Sequence, residues 1–163
     1  MKNLKIWSLA LALLVAVTGC KPADNSGEAV PFNPIATNLL QQTLAAENTV
    51  WQLVEYAGQP AQFDIYIDFD ETDYVLYQRL YSSDYEKITG TYTLENGSLT
   101  GMYGKDVEWN NEYTAQIAMN PTRLRLIEEN GTYAEYIAVN AVPAHIQEQA
   151  KETTVTRASV YFL

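Results

Sequence analysis

Between Val50 and Val139, short runs of alternating apolar and polar residues are separated by turn residues. Alternation of this kind places successive side chains on opposite faces of a β-strand, so that one face is buried and the other meets water. The clearest run is KITGTYTL at residues 87–94, which is followed by Asn96-Gly97, a pair favoured in tight hairpins. A succession of such runs predicts an all-β domain.

We expect roughly eight strands joined by tight turns, the pattern typical of an antiparallel up-and-down barrel. The residues expected to face inward are Trp51, Leu53, Phe63, Ile65, Ile67, Phe69, Ile88, Gly90, Tyr92, Leu94, Leu99, Gly101, Tyr103, Tyr113, Ala115, Ile117, Met119, Leu124 and Leu126. The inward glycines, Gly90 and Gly101, suit a small closed barrel, in which strands coil sharply or a bulky neighbour needs room. Trp51 is expected to be buried near one end, where its large side chain closes the barrel.

A short helix is predicted before the first strand. Asn33-Pro34 is a favourable helix start, and the helix is expected over 34–47. Its apolar side consists of Ile35, Leu39 and Leu40. Because an isolated helix of this length is marginal in water, we expect that side to lie on an open end of the barrel.

The barrel domain is placed at 34–163, and its tail at 140–163 carries two further elements. Residues 144–151 are expected to form one or two helical turns, and residues 153–163 a final β segment. That segment is apolar and β-branched, so we expect it to pair with an unpaired strand edge, either of its own chain or of a second copy.

The first residues are typical of a secretory signal peptide. Lys2 and Lys5 precede an apolar stretch of twelve residues at 6–17, which is too short to span a bilayer as a helix. The stretch ends in Val17-Thr18-Gly19-Cys20, which resembles the bacterial lipobox. The resemblance implies that residues 1–19 are cleaved and that Cys20 carries acyl chains such as palmitate. Three acyl chains, at roughly 0.8 kcal/mol per buried CH₂, hold a protein at a membrane almost permanently.

We therefore expect a lipoprotein of the cell envelope, anchored at the outer membrane. The sequence does not decide between its periplasmic face and its surface face. Residues 20–33 contain Pro, Gly, Ser, Asn and acidic residues without an apolar period. Such a composition is typical of a flexible tether between membrane and domain.

Cysteine usage and charge exclude several classes of protein. Cys20 is the only cysteine, so the domain has neither a disulfide framework nor a thiolate metal site. The formal net charge is −10, and loss of Lys2 and Lys5 with the signal leaves eight basic residues against twenty acidic ones, a charge of −12. A surface of this charge repels phosphate backbones, so we expect no nucleic-acid partner.

Catalysis and metal binding find little support, and we expect no enzyme activity, cofactor or metal. A hydrolytic triad needs a histidine base, and the only histidine, His145, lies in the predicted helical segment after the barrel, where we interpret it as a surface residue. Asp68-x-Asp70-x-Thr72 resembles the start of an EF-hand loop, but Asp73 stands in place of its glycine and Arg79 in place of its bidentate acid. We interpret it as a solvated turn. A carboxylate pair for glycoside cleavage stays open, because acidic residues are abundant.

Aromatic residues are the most distinctive feature of the mature chain. Twelve tyrosines and two tryptophans remain after the signal peptide. Their polar handles and apolar faces suit sugar stacking or a protein interface. The candidate ligand-binding residues are Tyr74, Tyr77, Tyr81, Tyr103, Trp109 and Tyr113. The alternative is that strands favour tyrosine anyway and that these residues belong to the core.

Several short sequences together resemble a known family. Trp51-Gln52-Leu53-Val54 opens the domain, and residues 89–94, Asn96-Gly97 and Leu99-Thr100-Gly101 follow. In order and rhythm, residues 48–139 resemble the lipocalin-like lipoproteins common in Bacteroidetes. The G-x-W sequence of true lipocalins is absent, since Thr49 lies two residues before Trp51. The W-x-L and G-x-P sequences are also similar to META-type bacterial lipoproteins, although the hairpin pattern favours the lipocalin-like family.

The resemblance implies a binding protein for a small apolar or amphipathic molecule, held in the mouth of the barrel. The alternative is an anchored module that binds an envelope protein or a glycan through a tyrosine-rich rim. Either protein would reach the membrane only through its lipidated Cys20.

Overall fold

The computed structural model describes residues 31–32, 37–156 and 161–163, so the predicted signal peptide and Cys20 lie outside the described residues. Within these ranges the chain forms two helices, α1 (Thr37–Leu44) and α2 (Ala144–Gln149). It also forms the strands β1 (Val50–Tyr56), β2 (Gln59–Pro60), β3 (Asp64–Phe69), β4 (Asp73–Arg79), β5 (Glu86–Glu95), β6 (Ser98–Tyr103), β7 (Val107–Glu108), β8 (Tyr113–Ala118), β9 (Arg123–Glu128), β10 (Tyr133–Val139) and β11 (Lys151–Glu152). No helix of this part of the chain is long and apolar enough to cross a membrane.

Eight of the strands form a closed ring in the order β1-β3-β4-β5-β6-β8-β9-β10, with β10 pairing back onto β1. Neighbours in the ring are antiparallel and nearly consecutive in the chain. The two-residue strands β2, β7 and β11 pair with β1, β6 and β5 respectively. The prediction of an all-β, barrel-like fold with roughly eight up-and-down strands is confirmed.

The alternation predicted for residues 87–94 is confirmed in β5. Ile88, Gly90 and Tyr92 are buried, whereas the threonines on either side of them are exposed. The inner face of the ring therefore carries the apolar side chains, and these fill the interior. The largest of them that are fully buried are Trp51, Tyr74, Tyr103 and Tyr136.

The inward position predicted for Met119 is wrong. Met119 is 52% exposed, because β8 ends at Ala118 and the chain then reverses. Asn120 follows with a φ of 64°, a left-handed conformation typical of turns. Met119 thus belongs to the turn between β8 and β9.

Helix α1 covers one end of the ring, which we call the helix end. Leu40 and Leu44 are buried in the main core, whereas Leu39 is 49% exposed, so the predicted apolar side is wrong for Leu39. Adjacent helical residues point about 100° apart, and only one of the two leucines can face the ring. Residues 34–36 lie outside the described residues, and the helix ends at Leu44 instead of residue 47.

Trp51 is completely buried at the helix end, as predicted. Its Nε1 donates a hydrogen bond of 2.9 Å to the carbonyl oxygen of Leu44. Carbonyls in the last turn of a helix have no partner within the helix, so this bond satisfies one of them. Trp51 thereby joins the end of α1 to the start of β1.

The chain after β10 runs along the outside of the ring. Val142 lies just before α2, and Ile146 lies in it. Both pack on Val50, Tyr66 and Tyr85 in a second apolar cluster. Strand β11, at Lys151–Glu152, then pairs in parallel with the start of β5. The pairing is made just before the predicted segment, however, since residues 153–156 and 161–163 form no strand.

The outer face of β9 and β10 carries a charged cluster. Glu135 lies between Arg123 and Arg125, with N···O distances of 2.7 and 2.6 Å. The ring of Phe32 lies 4.9 Å from the first guanidinium and 4.2 Å from the second. Phe32 belongs to the predicted tether 20–33, so this part of the tether contacts the ring.

Candidate functional site

The opposite end of the ring, where β4 passes into β5 and β6 into β8, is called here the far end. It is occupied by residues 161–163, the closing segment. Tyr161 and Leu163 are 5% and 1% exposed and belong to the main core. Phe162 is partly buried at the margin, where its ring lies 5.3 Å from that of Tyr56.

The closing segment is held by polar groups as well as by burial. The Tyr103 hydroxyl donates a hydrogen bond to the main-chain oxygen of Leu163. The backbone N and the Nδ2 of Asn110 donate to the same oxygen, each at 3.4 Å. The backbone N–H of Phe162 donates to Oε1 of Gln78 at 3.2 Å.

Gln78 is a buried polar residue on the inner face of β4, with no exposed surface. Its Nε2 donates to Oε2 of Glu86 at 2.8 Å. An amide has one donating and one accepting end, and the carboxylate can only accept. The bond to Glu86 therefore turns Oε1 of Gln78 toward the closing segment.

Two inward glycines make room for aromatic side chains beside the far end. A Cβ on Gly90 would lie 2.0 Å from the backbone oxygen of Met102 and 2.7 Å from the ring of Tyr74, and a Cβ on Gly101 would lie 2.4 Å from the ring of Trp109. The two aromatic rings meet edge to face at 5.2 Å, and Trp109 Nε1 donates to the Tyr74 hydroxyl at 2.8 Å. The inward glycines therefore do accommodate bulky neighbours, one of the two roles expected for them.

Burial shifts the tyrosines in the interior toward their neutral form. It raises the pKa of Tyr103 and of Tyr74, and it raises the pKa of Tyr113 to about 12. A neutral hydroxyl can both donate and accept a hydrogen bond. At neutral pH, Tyr103 is therefore a donor for a carbonyl oxygen and not a base.

The six predicted ligand-binding residues do not form one rim. Four are buried in the interior and close to one another: Tyr74, Tyr103, Trp109 and Tyr113. Tyr77 packs on the second apolar cluster, outside the ring, and Tyr81 is 82% exposed in the loop after β4. The rim is corrected to an interior group with two outer tyrosines, because residues an odd number of positions apart on one strand face opposite ways.

Sequence reasoning missed Gln78, Asn110 and the closing segment as parts of the site. Gln78 had a signal, since it continues the inward positions of Tyr74 and Leu76 and is polar. Asn110 and the closing segment had none, because the hydrogen bonds that hold the segment at the far end join residues at least 53 positions apart.

A second concave surface lies along β5 and β6, under the loop that follows β7. It has a volume of about 430 Å³, and we call it the threonine groove. Its lining residues are Thr91, Tyr92, Thr93, Thr100, Gly101, Met102, Glu108, Trp109, Asn110, Asn111 and Glu112. Hydroxyl, amide and carboxylate groups dominate this lining, and it includes no basic residue.

The titratable residues considered for catalysis or metal binding lie outside the ring or at its helix end. His145 is exposed on α2, with its ring 6.4 Å from that of Tyr85. Asp68 and Asp70 lie where β3 turns into β4, and the pKa of Asp68 is raised by burial and by the charge of Asp70. Among the described residues, no three His, Cys, Asp or Glu side chains are grouped to hold a metal ion.

Comparisons with protein-family models, curated proteins and solved structures find no match to this chain. The lipocalin-like resemblance stays a prediction, and the site is interpreted from its own residues.

Proposed function

We propose that this chain is a lipid-anchored extracytoplasmic binding protein that holds a small apolar or amphipathic ligand at the far end of the ring. The observation that carries the proposal is the arrangement of Tyr103, Asn110 and Gln78. Their polar groups converge on main-chain atoms, while the surrounding walls are apolar. A few placed polar groups in an apolar pocket are typical of small-ligand sites.

The ligand takes the place of the closing segment, because side chains fill the rest of the interior. In the described residues, 161–163 contribute no strand pairing to the ring. Burial of Tyr161 and Leu163 contributes about 1.5–3 kcal/mol for each side chain. A ligand that displaces them must therefore bury a similar apolar area and offer an oxygen to Tyr103.

Charge and anchoring support the extracytoplasmic part of the proposal. The net charge of −10 opposes nucleic-acid binding and suits an exported, soluble domain. Acylation of Cys20 would hold the domain at the envelope, with the tether 20–33 between membrane and ring. The only histidine, His145, is exposed on α2 outside the ring, which favours binding over catalysis.

The test uses the full chain carrying Cys20→Ser, purified from its host without the lipid. Native mass spectrometry should reveal a bound small mass, and a fluorescent fatty-acid analogue should bind with saturation. Tyr103→Phe should weaken the analogue about fivefold to tenfold, since one hydrogen bond contributes roughly 1 kcal/mol. Tyr81→Phe, at an exposed position, is the matched control. Absence of both a bound mass and saturable binding would refute the proposal.

A second candidate function is an anchored module that binds a glycan or an envelope protein. The threonine groove favours it, because hydroxyl, amide and carboxylate groups line a surface of about 430 Å³. Trp109 is the only one of the six predicted aromatic residues that lines this groove. A glycan array compared between the unmodified chain and Thr93→Lys would test it, since lysine would fill the groove without disturbing the core.

A further inference from the structure

We infer that the far end of the ring is a recognition site for a short apolar peptide, which the closing segment occupies in cis. This inference rests on the proposed function and names its ligand class as a peptide. The ligand class follows from which atoms of the closing segment are bound and from how its side chains are arranged.

The polar groups at the far end match both a peptide donor and a peptide acceptor. Tyr103 and Asn110 donate to the main-chain oxygen of Leu163, whereas Oε1 of Gln78 accepts from the N–H of Phe162. A fatty acid or another acyl ligand offers an oxygen to the first pair but has no N–H for the second. Because Glu86 holds the amide of Gln78 in the accepting orientation, the site favours a ligand with a peptide N–H.

The side chains of the closing segment alternate as in a bound extended peptide. Tyr161 and Leu163 enter the ring, and Phe162 lies between them at the margin against Tyr56. The ring of Tyr161 lies 4.6 Å from that of Tyr103. Main-chain bonds that give affinity and alternate side chains that give specificity are characteristic of peptide recognition. The preferred sequence is therefore an aromatic residue, any residue and then an aliphatic one.

Occupation in cis lowers the apparent affinity for a peptide from outside. A segment attached to the same chain competes at an effective concentration of the order of mM. A free peptide with an intrinsic Kd of about 10 μM would then bind roughly a hundredfold more weakly to the occupied site. Emptying the site should restore that affinity.

The experiment uses the full chain carrying Cys20→Ser, with and without Tyr161→Ser and Leu163→Ser, which together release the closing segment. The probe is a synthetic peptide of residues 155–163, labelled with fluorescein at its N-terminus and amidated at its C-terminus. Fluorescence anisotropy should show saturable binding to the emptied variant and binding at least tenfold weaker to the occupied one. A control peptide with serine at the same two positions should not bind.

A third variant separates a peptide from an acyl ligand. Gln78→Met in the emptied chain removes the acceptor for the peptide N–H at nearly constant size. It should weaken the peptide at least fivefold more than it weakens a fluorescent fatty-acid analogue, because only the peptide has an N–H to donate to Gln78. Equal losses for both probes would overturn the role of Gln78 in peptide recognition.

Each other outcome has a defined meaning. If the emptied chain binds the fatty-acid analogue but not the peptide, the inference fails and the proposed function stands. If the emptied chain binds neither, both fail. If the emptied chain loses its near-ultraviolet circular dichroism, the closing segment is part of the core and the inference is overturned. Equal peptide affinity of the occupied and emptied chains would overturn occupation in cis.

Discussion

Replacing Gly101 by alanine tests how tightly the interior of the ring is packed. The added Cβ would lie 2.4 Å from Cε2 and 2.5 Å from Cζ2 of Trp109, and 2.8 Å from the backbone oxygen of Thr91. Ordinary contacts between carbon atoms are about 3.5–4.0 Å, so the indole must withdraw by about 1 Å. Trp109 is 7% exposed, so its indole is almost completely enclosed by neighbouring side chains.

The free-energy change follows from what the indole loses. Forced overpacking of a filled core costs about 1–3 kcal/mol. Withdrawal also weakens the hydrogen bond from Trp109 to the Tyr74 hydroxyl, which contributes about 1 kcal/mol. Replacing glycine returns about 0.4–1 kcal/mol by restricting the unfolded chain. We therefore expect Gly101→Ala to lower the free energy of unfolding by about 1–3 kcal/mol.

The assay is urea unfolding followed by circular dichroism, with Thr100→Ala as the control. Thr100 is the exposed neighbour of Gly101 on β6, and its replacement should change the free energy by less than about 0.5 kcal/mol. The cost of Gly101→Ala should fall by at least half in a Trp109→Leu background, because the two residues are in contact. A cost below 0.5 kcal/mol, or the same cost in both backgrounds, would refute the packing argument.

Three further predictions concern other parts of the chain. Trp51→Ala should lower the free energy of unfolding by about 3–5 kcal/mol in denaturant melts, because it empties the helix end of the ring; a loss below 1 kcal/mol would contradict the burial of Trp51. Stability should be full below pH 10 and should fall as the pH rises through 12, because the pKa of buried Tyr113 is raised to about 12 and the neutral hydroxyl is the form that the fold favours. This pH dependence can be measured from the urea midpoint of unfolding between pH 8 and 12, together with tyrosinate absorbance at 295 nm. Ionisation of the buried tyrosines at pH 10 without unfolding would contradict the prediction. Cys20→Ser should abolish acylation and move the protein from the membrane fraction to the soluble fraction, or leave the precursor uncleaved; palmitate labelling that persists in the variant would exclude the lipobox.

The local pattern of the sequence predicts the strands well and their surroundings less well. Period-two alternation identifies the inner face of β5 because it depends only on neighbouring residues. Leu39 and Leu40 are adjacent and identical in type, yet Leu39 is exposed and Leu40 is buried. Which of the two is buried depends on contact with strands that are distant in the sequence. Met119 continues the apolar alternation of β8, and only the reversal of the chain at Asn120 removes it from the strand.

The candidate site depends still more on distant contacts. Gln78 and Phe162 are 84 residues apart, and nothing near either one predicts their hydrogen bond. The aromatic group was predictable in part, because Tyr74 and Tyr77 lie an odd number of positions apart on β4 and so face opposite ways. The aromatic residues are clustered along the sequence, which suggested a single surface. The strand geometry instead divides them between the inner and the outer face of the ring.

The closure of the ring by β1 and β10 also sets the order in which the chain can fold. Val50 pairs with Val139, so this edge of β1 stays unpaired until nearly the whole domain is available. Pairings this distant in sequence make folding slow, in the range of milliseconds to seconds for small β proteins. During that interval two unpaired strand edges are open to association with other chains. A chaperone that binds such edges would therefore raise the yield of this protein, and the closing segment would enter the far end only after the ring is complete.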